Sequence, residues 1–215
     1  RLLTAEDLTR DQTYLDQRLR ELGRVLGSGV MGGLELTLDK SVLTLRPGQA
    51  LTPAGRVLEL GKQLQLNLAD STLRKQLNSG KHNYLNRSLY AVVLRQVEVG
   101  TEVAEVFPQD LGSRRDSQYS VSTECVQLAL VPLGLALASQ SHLQIRARLM
   151  REFYGNDSFD NLIPEDAVAL GVLAVEENTA KWLDSELLRR PLRTEPSLGD
   201  WQADLSRQYE KLLTD

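Results

Sequence analysis

The residues most suggestive of chemistry lie together near the N-terminus. Gly27-Ser28-Gly29-Val30-Met31-Gly32 spells GxGxxG, a pattern that holds a dinucleotide's pyrophosphate when it leaves a strand and opens a helix. That chemistry needs helix amides aimed at the phosphate and an acidic residue about 20 positions further on to hold the ribose. Here the segment leaves a leucine-rich helical pattern at Leu26 and enters alternating sequence at Leu34. The region about 20 residues on, "LTPAGRV", has no carboxylate. The order of elements is reversed, and the Gly-Lys-Ser/Thr of a P-loop is absent. No cofactor is therefore expected. The glycines keep structural roles: Gly27 as a helix-ending residue with positive φ, and Gly29, Gly32 and Gly33 as points of sharp turning or close backbone approach.

Other reactive side chains are sparse. His82 sits in a polar stretch and His142 at a helix start, neither with a second ligand at metal spacing, so no metal site is expected. No GxSxG surrounds a serine, which leaves no case for a Ser-His-Asp site. The single cysteine, Cys125, lies in the alternating stretch "STECVQLALVPLG" and reads as a small buried hydrophobe. Two carboxylates for glycoside cleavage are formally available, but no spacing selects them. No catalytic residue is assigned, and the chain reads as a non-enzyme.

Composition bounds the rest. A chain of 215 residues with 41% hydrophobic and 25% charged side chains can bury a core and is not a disordered protein. A net charge of −4 gives no general attraction to nucleic acid or anionic lipid. The longest apolar run, Leu128 to Ala138, is too short to cross a bilayer and is broken by Pro132 and Gly134. Neither a nucleic-acid partner nor direct membrane insertion is expected. The absence of a visible signal peptide suggests synthesis in the cytoplasm, although a start at Arg1 leaves room for an upstream segment.

Three kinds of element must position whatever the chain does. Thr4 and Asp7 suggest a helix cap, after which Leu8, Leu15, Leu19, Leu22 and Leu26 recur at helical spacing. Such a stripe suits a helix lying on its own domain's sheet or a coiled coil with copies of itself, and a length of roughly three heptads favours the first. "LELTL", "SVLTLRPGQALTPAGRVLEL" and "KQLQLNL" then alternate as short antiparallel strands, with Leu34, Leu36 and Leu38 on one face. Pro47-Gly48 has the order of a type II turn, and Pro53-Ala54-Gly55 marks the next turn.

A short helix capped at Asp70 is expected over "DSTLRKQLNSG", then two longer strands, "SLYAVVLRQVEV" and "YSVSTECVQLALVPL", joined by the polar loop "FPQDLGSRRDSQ". A helix ending at Gly155 would bury Leu143, Leu149, Met150 and Phe153, and "DAVALGVLAVEEN" reads as a central strand. The C-terminal stretch has a cap at Asp200 and apolar Trp201, Leu205, Tyr209 and Leu212 at helical spacing. It follows the linker-like "RRPLRTEPSLG", so docking on a neighbour is expected. The fold class is α+β: a mainly antiparallel β domain, sandwich- or barrel-like, over 28–193, after a helix over 1–27 and before a linker and helix over 194–215.

The segment "RLLTAEDLTRDQTYLDQRLRELGRVLGSGVMGGLEL", followed by "LTLRPGQALTPAGRVLEL", resembles a module of phage tails and phage-tail-like contractile injection systems. In that module a "LLTAEDF" helix leads into "G.GVV.GLEV" and a strand pair with "V.PG.ALD..GR.I". "SLYAVVLRQVEV", "RRDSQYSV" and "AVALGVLAVEENTAKWLDSELLRRPL" extend the similarity over most of the chain. The chain departs from the pattern at Thr52, usually Asp, and at Asp116, usually Glu, which withholds any ligand role from those positions.

The resemblance implies a structural or attachment component of a baseplate, fibre or tail, incorporated into a tail-like particle. Its partners would be other subunits of that particle and copies of itself, a homo-oligomer with a trimer as one candidate state. Leu8, Leu15, Leu19, Leu22, Leu26, Trp201, Leu205 and Leu212 are the candidate assembly interface. Two rival readings are a receptor- or glycan-binding fibre module, using the 107–118 loop with Arg114 and Tyr119, and a tail-associated glycan hydrolase.

Overall fold

The structure, a computed structural model, describes residues 5–70, 87–106, 116–136, 141–155, 163–176, 179–192 and 200–214. The described residues form an α+β arrangement of three helices and three antiparallel sheets. Helix α1 spans Ala5–Leu26. Six short strands follow: β1 (Gly29–Gly33), β2 (Leu36–Asp39), β3 (Val42–Leu45), β4 (Gly48–Leu51), β5 (Val57–Leu60) and β6 (Leu64–Asn67).

These six strands form two sheets, β1-β4-β5 and β2-β3-β6, and their registers show one meander bent across its middle. Gly33 pairs with Gly48 and Leu36 with Leu45, so the same ladder runs through both halves. Between the halves, Leu34 N donates to Pro47 O (3.1 Å) and Arg46 N to Glu35 O (3.0 Å). The bend explains three departures from the sequence expectation. The glycine segment is itself strand β1, with the corner confined to Gly27–Ser28. Leu34 lies outside a strand, at φ 58°, where the chain kinks, while Leu36 is buried and Leu38 half-buried. Pro47-Gly48 is not a type II turn, because Gly48 begins β4 without a positive φ. It is small because a Cβ there would overlap Gly32 O and Leu34 N. Pro53-Ala54-Gly55 does turn, with Gly55 at φ 81° and its N–H donating to Thr52 O.

The larger sheet has the order β10-β9-β7-β8, where β7 is Arg87–Val106, β8 Asp116–Ala136, β9 Ala167–Glu176 and β10 Thr179–Asp184. Strand β9 is interior, as its continuous apolar run requires. β10 has no clear signal in the sequence, because its run "TAKWLD" alternates too weakly to stand out. Alternation divides the core between the two faces. Tyr90, Val92 and Leu94 join the meander's Leu34, Leu43, Leu45 and Leu58 in one cluster. Leu89, Ala91 and Val93 face a second cluster with Ile145, Leu149 and Met150. In β9 the parity flips at Gly171, where the β7–β9 register shifts: Val168 and Leu170 lie on the meander side before it, Leu173 and Val175 after it.

Helix α2 (His142–Gly155) and helix α3 (Asp200–Thr214) cover the face opposite the meander. Leu143 is 42% exposed rather than buried, its place on the inner face taken by Ile145 and Arg146. Cys125 is exposed, since β8 is an edge strand and residues 124 and 125 lie where β9 no longer backs the β7–β8 pair. The expected helix after Asp70, His82, the 107–115 loop with Arg114, and the linker over 193–199 lie outside the described residues, as do the side chains of Tyr119, Phe153 and Trp201.

Candidate assembly surface

Helix α1 follows from its sequence: leucines at i, i+3, i+4 and i+7, charges on the flanks, and Gly27 as the C-terminal stop at φ 90°, its N–H donating to Arg24 O. The stripe does not lie on the domain's sheet. Leu8, Leu15, Leu19, Leu22 and Leu26 are 52–67% exposed, and Val25 beside them is 80% exposed. The helix is attached by another flank. Gly23 is buried against Gly55, so closely that a Cβ on Gly23 would overlap the Gly55 carbonyl. Asp16 bridges Arg20 (2.5 Å) and Arg56 (3.5 Å) on the same side. Covering each stripe leucine would contribute about 1–2 kcal/mol at these exposures.

The corner that follows α1 is clamped to a distant segment. Val30 N donates to Arg190 O (2.8 Å) and Leu192 N to Val30 O (2.8 Å), forming an isolated parallel bridge with Pro191. Gly29, at φ 149°, would drive a Cβ to 2.7 Å from Arg190 O, and Gly33, at φ 64°, would drive one into Pro47 O. Gly32 has open space and no positive φ, so its geometry does not demand glycine. The Arg189 guanidinium donates to Gly33 O (2.6 Å) and Leu34 O (2.5 Å) and holds the kink. Burial pushes Arg189 below its ordinary value, while Glu186 and Glu35 act in the opposite direction.

A cavity of about 320 Å³ lies beneath this corner, bordered by Arg24, Ser28, Glu165 and Arg190 over an apolar floor of Ile163, Val168 and Leu188. α1 meets it with its C-terminal end, where carbonyls point outward and the helix dipole is negative. That polarity is the opposite of what a pyrophosphate needs. Thr52, at the position where the tail module usually has Asp, is fully buried, and its Oγ1 accepts from Arg56 N (3.0 Å), a local closure of the β4–β5 turn.

On the opposite face lies a polar cluster that the sequence reading missed. Arg146, Asp184 and Gln208 are buried. Asp184 Oδ2 accepts from Arg146 Nη1, and Oδ1 accepts from the backbone N–H groups of Glu186 (3.1 Å) and Leu187 (2.9 Å). Arg146 Nη2 donates to Gln208 Oε1, and Gln208 Nε2 to Glu186 O (2.7 Å). His142 Nε2 lies 3.2 Å from Asp184 Oδ2, and its ring packs on Trp182 at 4.4 Å. These contacts staple α2, β10 and α3 together. Their only sequence signal was a polar residue at an inward helical position.

The C-terminal helix docks on its own chain: Leu205 and Leu212 pack against the second core cluster beside Gln208, whereas Tyr209 is 53% and Leu213 87% exposed. Of the expected interface residues, the α1 leucines form one open surface, and Leu205 and Leu212 of α3 lie half-buried on the chain's own core. Among the described residues, no group of three or more His, Cys, Asp or Glu side chains could hold a metal ion, and no helix is long and apolar enough to cross a membrane. Compared with known proteins, the chain matches no protein-family model and no curated sequence.

Proposed function

We propose that this chain is a non-enzymatic structural or attachment component of a contractile injection system or related phage-tail-like particle. The observation that carries the reading is the row of five leucines left open along α1, on a helix whose other flank is anchored to the β body. Contiguous exposed apolar surface of this kind marks an interaction site. The ordered resemblance of the surrounding segments to the tail module says what sort of assembly would cover it.

The mechanism is assembly. The bent meander and the four-stranded sheet supply the body, the Gly29–Val30 clamp sets the direction in which α1 leaves it, and the leucine row supplies the contact area. Together, five leucines at about 1–2 kcal/mol each exceed the lower estimates of the cost of association, about 4 kcal/mol. Two measurements test the reading. Solution mass by light scattering is expected to exceed that of one chain, and a strain lacking the gene is expected to yield incomplete particles. A monomer at all concentrations, together with complete particles from the deletion strain, removes the reading.

A further inference from the structure

The partner of the leucine row can be named from its register. In seven-residue repeats, Leu8, Leu15 and Leu22 share one seam position, and Gln12, Leu19 and Leu26 share the other. We propose that α1 packs in parallel and in register against α1 of further copies of this chain; the inference rests on the assembly reading above and specifies its contact.

The alternatives differ in how many leucine layers they make. A parallel, in-register pairing sets Leu8, Leu15, Leu19, Leu22 and Leu26 each against its own copy, five layers in all, and sets Gln12 against Gln12, where two amides can hydrogen-bond to each other. The antiparallel registers reach four leucine layers at most. One of those sets Gln12 against Leu22, leaving an amide among apolar groups, and brings Arg18 against Arg18. The other leaves Leu8 without a counterpart. A third antiparallel register gains a charge pair, Asp11 with Arg18, but keeps only two leucine layers. Exposed charge pairs contribute little beside a buried leucine layer, so the parallel register wins.

The body leaves this seam accessible. α1 touches its own domain through Asp16 and Gly23, which flank one side of the seam, while Val25, Asp11 and Arg18 on the other side are exposed. Parallel pairing has one unfavourable contact, Asp11 opposite Asp16 of the neighbouring copy, and Asp16 is already compensated by Arg20 and Arg56. Gln12 then acts as a register mark, a polar seam residue that is best satisfied by its own copy.

Disulfide trapping on the full chain tests the orientation. In a Cys125→Ser background, Leu8→Cys is expected to oxidise to a linked dimer as the major species, because parallel packing brings the two positions together. In antiparallel packing they lie at least about 15 Å apart along the axis. A mixture of Leu8→Cys and Leu26→Cys chains is expected to give same-site links only. Exclusive Leu8–Leu26 cross-links overturn the proposal while leaving the assembly reading intact. A parent chain that stays monomeric by light scattering overturns the proposal, and the assembly reading falls with it only when the deletion strain also yields complete particles. Asp11→Lys, at a surface position, is expected to tighten association about two-fold by attracting Asp16 of the neighbour. Weaker association in that variant points to the antiparallel arrangement and overturns the proposal.

Discussion

α1 and α3 carry leucines at the same spacing, yet one helix is held down by its own chain and the other stands open. In α3, Leu205 and Leu212 pack on the core, and between them Gln208 is fully buried, bonded to Arg146 and to Glu186 O. In α1 the seam leucines are more than half exposed, and Gln12 between them is exposed too. The difference lies in what the rest of the chain offers. The apolar face of the large sheet and the buried pair between Arg146 of α2 and Asp184 of β10 receive α3, whereas the contacts of α1 among the described residues are with the β4–β5 turn, through Asp16 and Gly23. In this chain the stripe with a polar partner set beside it is covered, and the stripe without one is left open.

The largest effect is expected where α3 is locked. Arg146→Ala leaves the Asp184 carboxylate buried without its guanidinium partner, a change that costs about 3–5 kcal/mol. Urea denaturation should show that loss, and limited proteolysis should show α3 released first. Unchanged stability would mean that the apolar contacts of Leu205 and Leu212 suffice and that the polar cluster does not distinguish the two helices.

Next comes the joint that directs α1. Gly29→Val forces a β-branched residue to φ 149° with its Cβ 2.7 Å from Arg190 O. The backbone strain alone is about 1–3 kcal/mol, with the overlap added. Gly32→Ala, in open space two residues from Val30, should change stability by no more than about 0.5 kcal/mol. Thermal melts of the two variants separate a joint that needs its glycines from one that merely has them. Equal losses would show that position 32 needs its glycine as much as position 29 does.

Much of this was legible from residue spacing. The leucine periodicity of α1, the Gly27 stop, the Pro53-Ala54-Gly55 turn and the interior character of 167–176 follow from local rules. What local rules do not carry is pairing across the chain. The bend of the meander depends on Gly33 meeting Pro47, and on Arg189 reaching back to the carbonyls of Gly33 and Leu34 from more than 150 residues away. Leu143 and Cys125 were misplaced for the same reason. A period says which residues share a face, but the neighbour decides whether that face is covered. The candidate site was readable as a stripe; its openness was not, since a stripe alone fits a core-facing helix equally well.

The smallest effects on the isolated chain are expected in the stripes themselves, and they should differ in kind. Leu205→Ala removes half-buried methyl groups from the second core cluster and should cost about 1–2 kcal/mol in a denaturation experiment at any protein concentration. Leu19 is 67% exposed, so Leu19→Ala should leave the unfolding free energy of the dissociated chain within about 0.5 kcal/mol of the parent. Its cost should appear only in association, as a lower apparent Tm at concentrations where the parent is oligomeric and convergence with the parent on dilution. Two leucines of the same size on helices of the same class would then be told apart by concentration dependence alone. A Leu19→Ala deficit that persists at high dilution would place α1 on its own core after all.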